Sequence, residues 1–340
     1  MARRALITAL SLSMLFGLSG SPVAAAEFPA GYGAYHTYDE MVARLDAAAA
    51  SYPAIARKFS IGRSYEGRQL WALKISDNVH QDEAEPEIVL DSLVHGRERL
   101  TSEMNIYLIR LLTEKYATNA RIRQIVNTRE IFIIPMLNPD GGEYDISGSD
   151  FRRWRKNRQP NPGTSAIGTD LNRNFGFKWG CCGGSSGNPS SENYRGQSKW
   201  SAPEVRAYRD FIDSRVVGGR QQVKAAVSWH TAGEYVLWPY AYTSVKRPSS
   251  MTAADRKAMV ALAKGMAARN GYRAAQSGRW YISDGDQIDW LYGKHGIFAF
   301  TVEMYPRSGG SMRYYPSPSL IGPETKRNKQ AMLYLLEHAR

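Results

Sequence analysis

The sequence predicts an α/β fold: a mainly parallel, twisted sheet with helices packed on both faces. Three observations point there. Segments of strand composition alternate with segments of helical spacing along the chain. The strand candidate 130–136 is nearly continuously apolar, as strands buried on both faces are, and 87–94 is an apolar β run that ends just before His95. Three chemically pointed residues, His95, His230 and Glu303, each follow the C-terminal end of a predicted strand, the edge where open α/β sheets bind ligands.

The first 26 residues read as an export signal. Arg3 and Arg4 give a positive start, 5–18 is mostly apolar, and Ala24, Ala25 and Ala26 form a small-residue cleavage site. The apolar run is too short to span a bilayer comfortably. Cleavage after Ala26 leaves 27–340 as a single exported domain. Helical spacing over 38–51 puts Met41, Leu45 and Ala48 on one face, and Thr37 with Glu40 forms a capping box. Segments 59–61 and 69–75 read as strands joined by a turn at Tyr65-Glu66-Gly67. After the 87–94 strand comes an amphipathic helix, 101–116, capped near Thr101, and a short helix at 121–128. The 130–136 strand leads into Asn138-Pro139-Asp140-Gly141, which reads as a turn. Segment 142–201 is rich in Gly, Ser, Asn and Pro and lacks periodicity, and irregular stretches of that length in compact domains are usually functional. Helix 203–214 starts on Pro203; strand 223–229, helix 253–270, strand 296–302 and helix 324–338 complete the chain.

The formal net charge is +12. A basic balance admits nucleic acid as a partner. Here the cations are scattered, and the densest run, 152–158, falls inside a candidate motif, so general solubility explains the charge. Nucleic-acid and membrane partners are not expected, and the chain is expected to be a monomer. The two cysteines, Cys181 and Cys182, are adjacent. A vicinal disulfide, a pair of buried thiols and bonds to another chain are all open to them; zinc binding is not, for want of a second cysteine pair.

Catalytic zinc commonly has three nitrogen or oxygen ligands from the protein and one open position. His95 and Glu98 leave a strand end within reach of one ion, and His230 completes the set. Each also has an ordinary reading: a hydrogen-bonded loop histidine, a first-turn carboxylate, a strand-end histidine. Glu303 follows five apolar or small residues. A carboxylate there is either ion-paired or a base beside metal-activated water. Arg155 and Arg173 offer guanidinium groups suited to a carboxylate or to developing negative charge.

Together, His95-Gly96-Arg97-Glu98, Asn138-Pro139-Asp140-Gly141, Trp154-Arg155-Lys156-Asn157-Arg158, Asp170-Leu171-Asn172-Arg173-Asn174, Trp229-His230-Thr231, 281–290 and Thr301-Val302-Glu303 resemble the zinc metallocarboxypeptidases of the carboxypeptidase A/B family, in the same order and over nearly the whole mature chain. The nearest resemblance is to the bacterial carboxypeptidase T branch. It implies a three-layer α/β/α sandwich around a mixed, mainly parallel sheet, and one zinc held by His95, Glu98 and His230. It also implies Glu303 as general base and acid, Arg155 on the scissile carbonyl, Asn172 and Arg173 on the terminal carboxylate, Arg97 in a neighbouring subsite, and Tyr281 closing over the substrate. Substrates are then peptides or proteins with a free C-terminus. By the same alignment Ile288 predicts apolar or aromatic C-terminal residues, and Asp286 adds basic ones. The acidic run Asp77, Asp82, Glu83, Glu85 and Glu87 matches a region that binds structural calcium in that branch. Two other readings remain open: action on cell-wall peptides with D-residues, and peptide binding without catalysis.

Overall fold

The computed structural model describes residues 27–339, so the export signal lies outside the described residues. The strands are β1 (Ala56–Arg63), β2 (Gln69–Ile75), β3 (Glu87–Asp91), β4 (Glu130–Ile134), β5 (Val216–Val217), β6 (Arg220–Gln221), β7 (Val223–Thr231), β8 (Tyr235–Trp238), β9 (Arg273–Gln276) and β10 (Phe298–Met304). The helices are α1 (Tyr38–Ser51), α2 (Leu100–Glu114), α3 (Ala120–Val126), α4 (Pro139–Asp145), α5 (Pro203–Ser214), α6 (Ala253–Asn270), α7 (Ser277–Trp280), α8 (Gln287–His295) and α9 (Ile321–His338).

Eight strands form one sheet in the order β1-β2-β4-β3-β7-β10-β8-β9, with β5 and β6 as a separate hairpin. The central run β4-β3-β7-β10 is parallel, and antiparallel pairing enters at β2 on one side and β8 on the other. The sheet is therefore mixed and mainly parallel, as expected. Alternate residues feed two cores. Ile88, Leu90, Ile131 and Ile133 join the cluster under α1, α2, α6 and α9. Val89, Phe132 and Ile134 join the cluster under α5 and α8. This is the three-layer arrangement, and it explains why 130–136 reads as a nearly continuous apolar run: every residue of β4, like every residue of β3, is buried.

The capping box forms as read, with Thr37 accepting from the Glu40 amide. The Asn138-Pro139-Asp140-Gly141 reading needs correction. It is the start of α4, with the Asn138 side chain accepting from the Gly141 amide and Pro139 in the first turn. Asn-Pro suits a helix start as well as a turn, because proline lacks an N–H that would go unpaired there anyway. The first strand is longer than read, and β8 and β9, at four residues each, are too short for periodicity to show.

The chain moves from β3 to β4 on one side and later enters β7 on the other. The crevice between β3 and β7 is thus a topological switch point, where α/β sheets bind ligands. No helix among the described residues is long and apolar enough to cross a membrane.

Candidate metal centre

The strand read as 87–94 ends at Asp91. Leu93 then turns left-handed, with φ of 51°, and its amide donates to Thr101 Oγ1 at the start of α2. This exit carries His95 and Glu98 over the switch point. Gly96 is needed there, since a Cβ on it would lie 2.4 Å from the Gly141 carbonyl oxygen. His230 and Glu303 do not follow their strands but sit inside them, next to last in β7 and β10, because pairing continues beyond the apolar run. They are register partners across that parallel pair.

Three buried donors converge. His95 Nδ1 lies 2.9 Å from Glu98 Oε1, His230 Nδ1 lies 3.1 Å from Glu98 Oε2, and the two Nδ1 atoms are 3.2 Å apart. For ligand distances of about 2.0–2.2 Å, the corners of a tetrahedral site are about 3.3–3.6 Å apart, close to this spacing. The remote nitrogens are occupied: His95 Nε2 faces Asp170 Oδ1 at 3.2 Å and His230 Nε2 faces Ser228 Oγ at 3.1 Å. Both Nδ1 atoms are thereby left to face a common centre, which suits one cation. Burial raises the Glu98 carboxyl, but His95 and His230 outweigh it and hold the group well below the usual carboxylate range.

Glu303 is also buried. Burial pushes its carboxyl up to about 8; His230 opposes and Glu98 adds to the rise. Such a group can exchange a proton near neutral pH.

Arg155 donates to Asp170 Oδ2 through Nε and Nη2 at 3.0 and 2.9 Å, and its Nη1 lies 3.3 Å from His95 Nδ1. Burial opposes its charge, yet Asp170 and Glu98 dominate and keep it protonated. Asp170 is itself held well below its usual range, burial being overcome by Arg155 and Arg173. It therefore ties a candidate ligand to a candidate substrate group, a role the sequence reading missed. The one signal available was its place in the Asp-Leu-Asn-Arg motif, two residues before Asn172.

The short 3-10 turn Leu171–Arg173 presents the next two residues. Asn172 Nδ2 donates to Asp286 Oδ2 at 3.2 Å, and Asn172 Oδ1 accepts from the Gln287 amide. Arg173 Nε donates to the Gly184 carbonyl at 2.9 Å, and Nη1 to that of Asn172. Tyr281 is 42% exposed, with Arg173 Cζ 5.9 Å from its ring centre, so it sits at the mouth of the site. Arg97 lies on the rim, paired with Glu192 at 2.7 Å and stacked over Tyr314. Asp286 caps α8 through Oδ1 and accepts from Ser283 through Oδ2, while Ile288 is buried in the α8 core. Cys181 and Cys182 are joined by a disulfide and exposed. The Cys182 and Gly184 amides both donate to Asp284 Oδ2, which locks this loop against the segment leading into α8.

The zinc carboxypeptidase family model matches residues 41–331. The chain belongs to the zinc carboxypeptidases. It is 46% identical over 317 residues to a zinc carboxypeptidase of Saccharothrix mutabilis subsp. capreolus, covering 93% of this chain and 72% of that protein. It is 31% identical over 309 residues to human carboxypeptidase A1, covering 90% and 70% respectively. The crystal structure of carboxypeptidase A from Helicoverpa armigera superposes with a TM-score of 0.78 at 26% identity, over 90% of this chain and 73% of that one. The chain is accordingly a hydrolase of the exopeptidase class, in a family that uses zinc.

The acidic run divides in two. Asp77, Glu83 and Glu85 bring carboxylate oxygens within 4.8 Å of one another. Asp82 and Glu87 are instead taken up by Arg215.

Proposed function

We propose that this chain is a secreted zinc metallocarboxypeptidase that removes the last residue from peptides and proteins with a free C-terminus. The observation that carries the reading is the convergence of His95, Glu98 and His230 at the switch point, with Glu303 beside His230 in register. Those three residues would hold the zinc, and Glu27 would start a mature single domain. When bound, zinc supplies Lewis acidity that lowers the pKa of water and polarises a carbonyl.

The chain's own groups do the rest. Glu303 accepts the proton of the attacking water and passes it to the leaving amine. Its raised pKa suits both directions of transfer. Arg155 faces the same centre and stabilises negative charge building on the carbonyl oxygen. Asn172 and Arg173 hold the terminal carboxylate, Tyr281 covers it, and Arg97 serves the neighbouring subsite. Ile288 favours apolar and aromatic C-terminal side chains. Asp286 would add basic ones, but both its oxygens already accept hydrogen bonds, so the apolar preference is expected to be the stronger.

We further propose calcium at Asp77, Glu83 and Glu85. Burial, with Glu83 and Asp77 close by, pushes the Glu85 carboxyl up to about 7, a crowding that a hard dication relieves. Melting the zinc-loaded protein with calcium and with EGTA tests this; an unchanged midpoint sinks it.

The main reading is tested with peptides ending in Phe, Leu, Lys, Arg or Asp, and one ending in an amide. Release is expected from free-carboxylate peptides alone, faster for Phe than for Lys, and abolished by Glu303→Ala or a zinc chelator. A folded, zinc-loaded protein that releases nothing overturns the reading.

A further inference from the structure

Ser228 and His230 are two residues apart on β7 and so point to the same face of the sheet. Asp91 is the register partner of Ser228 across the β3–β7 pair. All three side chains are buried. Ser228 Oγ donates to Asp91 Oδ1 at 2.8 Å and lies 3.1 Å from His230 Nε2. Gln287 Oε1 is a second acceptor within reach of that hydroxyl, at 3.2 Å. The other oxygen of Asp91 accepts from Tyr208 on α5 at 3.1 Å and from Gln287 Nε2 on α8 at 2.7 Å.

We propose that Asp91 acts through Ser228 as a positioning relay that fixes the tautomer and orientation of His230. An ionised carboxylate only accepts hydrogen bonds, and a serine hydroxyl has a single proton to give. With that proton directed to Asp91, Ser228 Oγ can only accept from His230. The proton on Nε2 is then the one held, and Nδ1, which faces Glu98 and His95, is the nitrogen left to take a metal. A coordinating imidazole nitrogen must be free of its proton, so by keeping the Nε2 proton the relay selects Nδ1 as the coordinating atom. Gln287 Nε2, at 2.7 Å, makes the shorter of the two contacts to the other Asp91 oxygen and holds the carboxylate without Tyr208, and both neighbours are neutral. Asp91 accepts from Ser228, Tyr208 and Gln287 Nε2, three donors aimed at its two oxygens, which is the setting of an ionised carboxylate.

The inference rests on the zinc reading, and its test separates the two. Zinc affinity is measured by competition with a chromophoric chelator for the parent chain, Ser228→Ala, Asp91→Asn and the double variant. Ser228→Ala is expected to weaken zinc binding about 10- to 100-fold. Asp91→Asn is expected to do at least as much, because an amide nitrogen facing Ser228 reverses the hydroxyl. The double variant is expected to be no weaker than the weaker single one, since both act on one relay. Tyr208→Phe removes a neighbour of Asp91 but leaves the relay, and is expected to bind zinc like the parent. The visible spectrum of the cobalt-substituted protein should change in Ser228→Ala and not in Tyr208→Phe, a difference that a general loss of stability would not produce. Should Asp91→Asn fail to fold, Ser228→Ala and its cobalt spectrum decide alone. A Ser228→Ala protein with parental affinity and spectrum overturns the relay and leaves the zinc reading standing. A parent chain that binds no zinc overturns both.

Discussion

The proposed metal-facing and substrate-facing halves of the site are built by different means. His95, Glu98, His230 and Glu303 sit on strands or their immediate exits. Hydrogen-bonded register sets His230 and Glu303, which pair across β7 and β10, and the turn after β3, held by the Leu93 amide on Thr101 Oγ1, sets His95 and Glu98. Arg155, Asn172 and Arg173 sit in the irregular 142–201 segment, where side-chain hydrogen bonds to Asp170, Asp286 and the Gly184 carbonyl hold them. A strand residue keeps its place when one neighbour changes, because many backbone bonds share the task. A loop residue depends on one or two named contacts. Defects in the first half should therefore fall on the chemical step or the metal, and defects in the second on binding.

The largest effect expected on this scheme is that of Glu303→Gln, which should lower kcat by about 10²- to 10⁴-fold with bound zinc unchanged by elemental analysis. Loss of the metal along with the rate would assign Glu303 to metal retention instead. Asp170→Asn probes a buried residue that joins the halves, since it touches both His95 and Arg155. It should weaken zinc affinity about 10- to 100-fold and lower kcat/KM as well; an effect on KM alone would mean that the halves are independent. Arg173→Ala should raise KM by about 10- to 100-fold, the size of a lost charged hydrogen bond of about 1.5–3 kcal/mol, with little change in kcat. A fall in kcat of the same size would erase the distinction between the halves.

The smallest effect on activity is expected at Glu204, which anchors the loop through Asn157 Nδ2 at 2.8 Å and accepts from the Tyr65 amide. Burial pushes its carboxyl up to about 7, against those hydrogen bonds. The folded chain then holds this proton more tightly than the unfolded chain does. Its contribution to stability is greatest below the ordinary carboxylate range and falls as pH rises toward 7. Glu204→Gln should flatten that slope in melting curves taken between pH 4.5 and 7.5, and an unchanged slope would place the loss elsewhere.

The same division governs what the sequence revealed. Burial of β4 on both faces was legible, because the run after Glu130 is wholly apolar, whereas β3 carries an acid at each end. Strand ends alone singled out His95, His230 and Glu303, and Glu98 came from its spacing after His95. Ser228 could have been found too, since alternation puts it on the face of His230. Asp91 could not, because its pairing with Ser228 depends on strand order, which periodicity does not contain. Asp170 was quoted within a motif yet given no role, since its partners are 15 and 75 positions away in the chain. α8 was hidden for a simpler reason: the Ser-Asp-Gly-Asp run before it looks like loop, and Asp286 proves to be the cap of a helix.

Asp284 gathers the amides of Cys182 and Gly184, and the Gly184 carbonyl in turn receives Arg173. The disulfide loop, the residues leading into α8 and the Arg173 guanidinium proposed to meet the substrate's end thus form one mechanical unit. Anyone redesigning the preference of this enzyme should exchange 181–184 and 282–286 together, as a single cassette, because either strip transplanted alone would arrive without the partner that gives it shape.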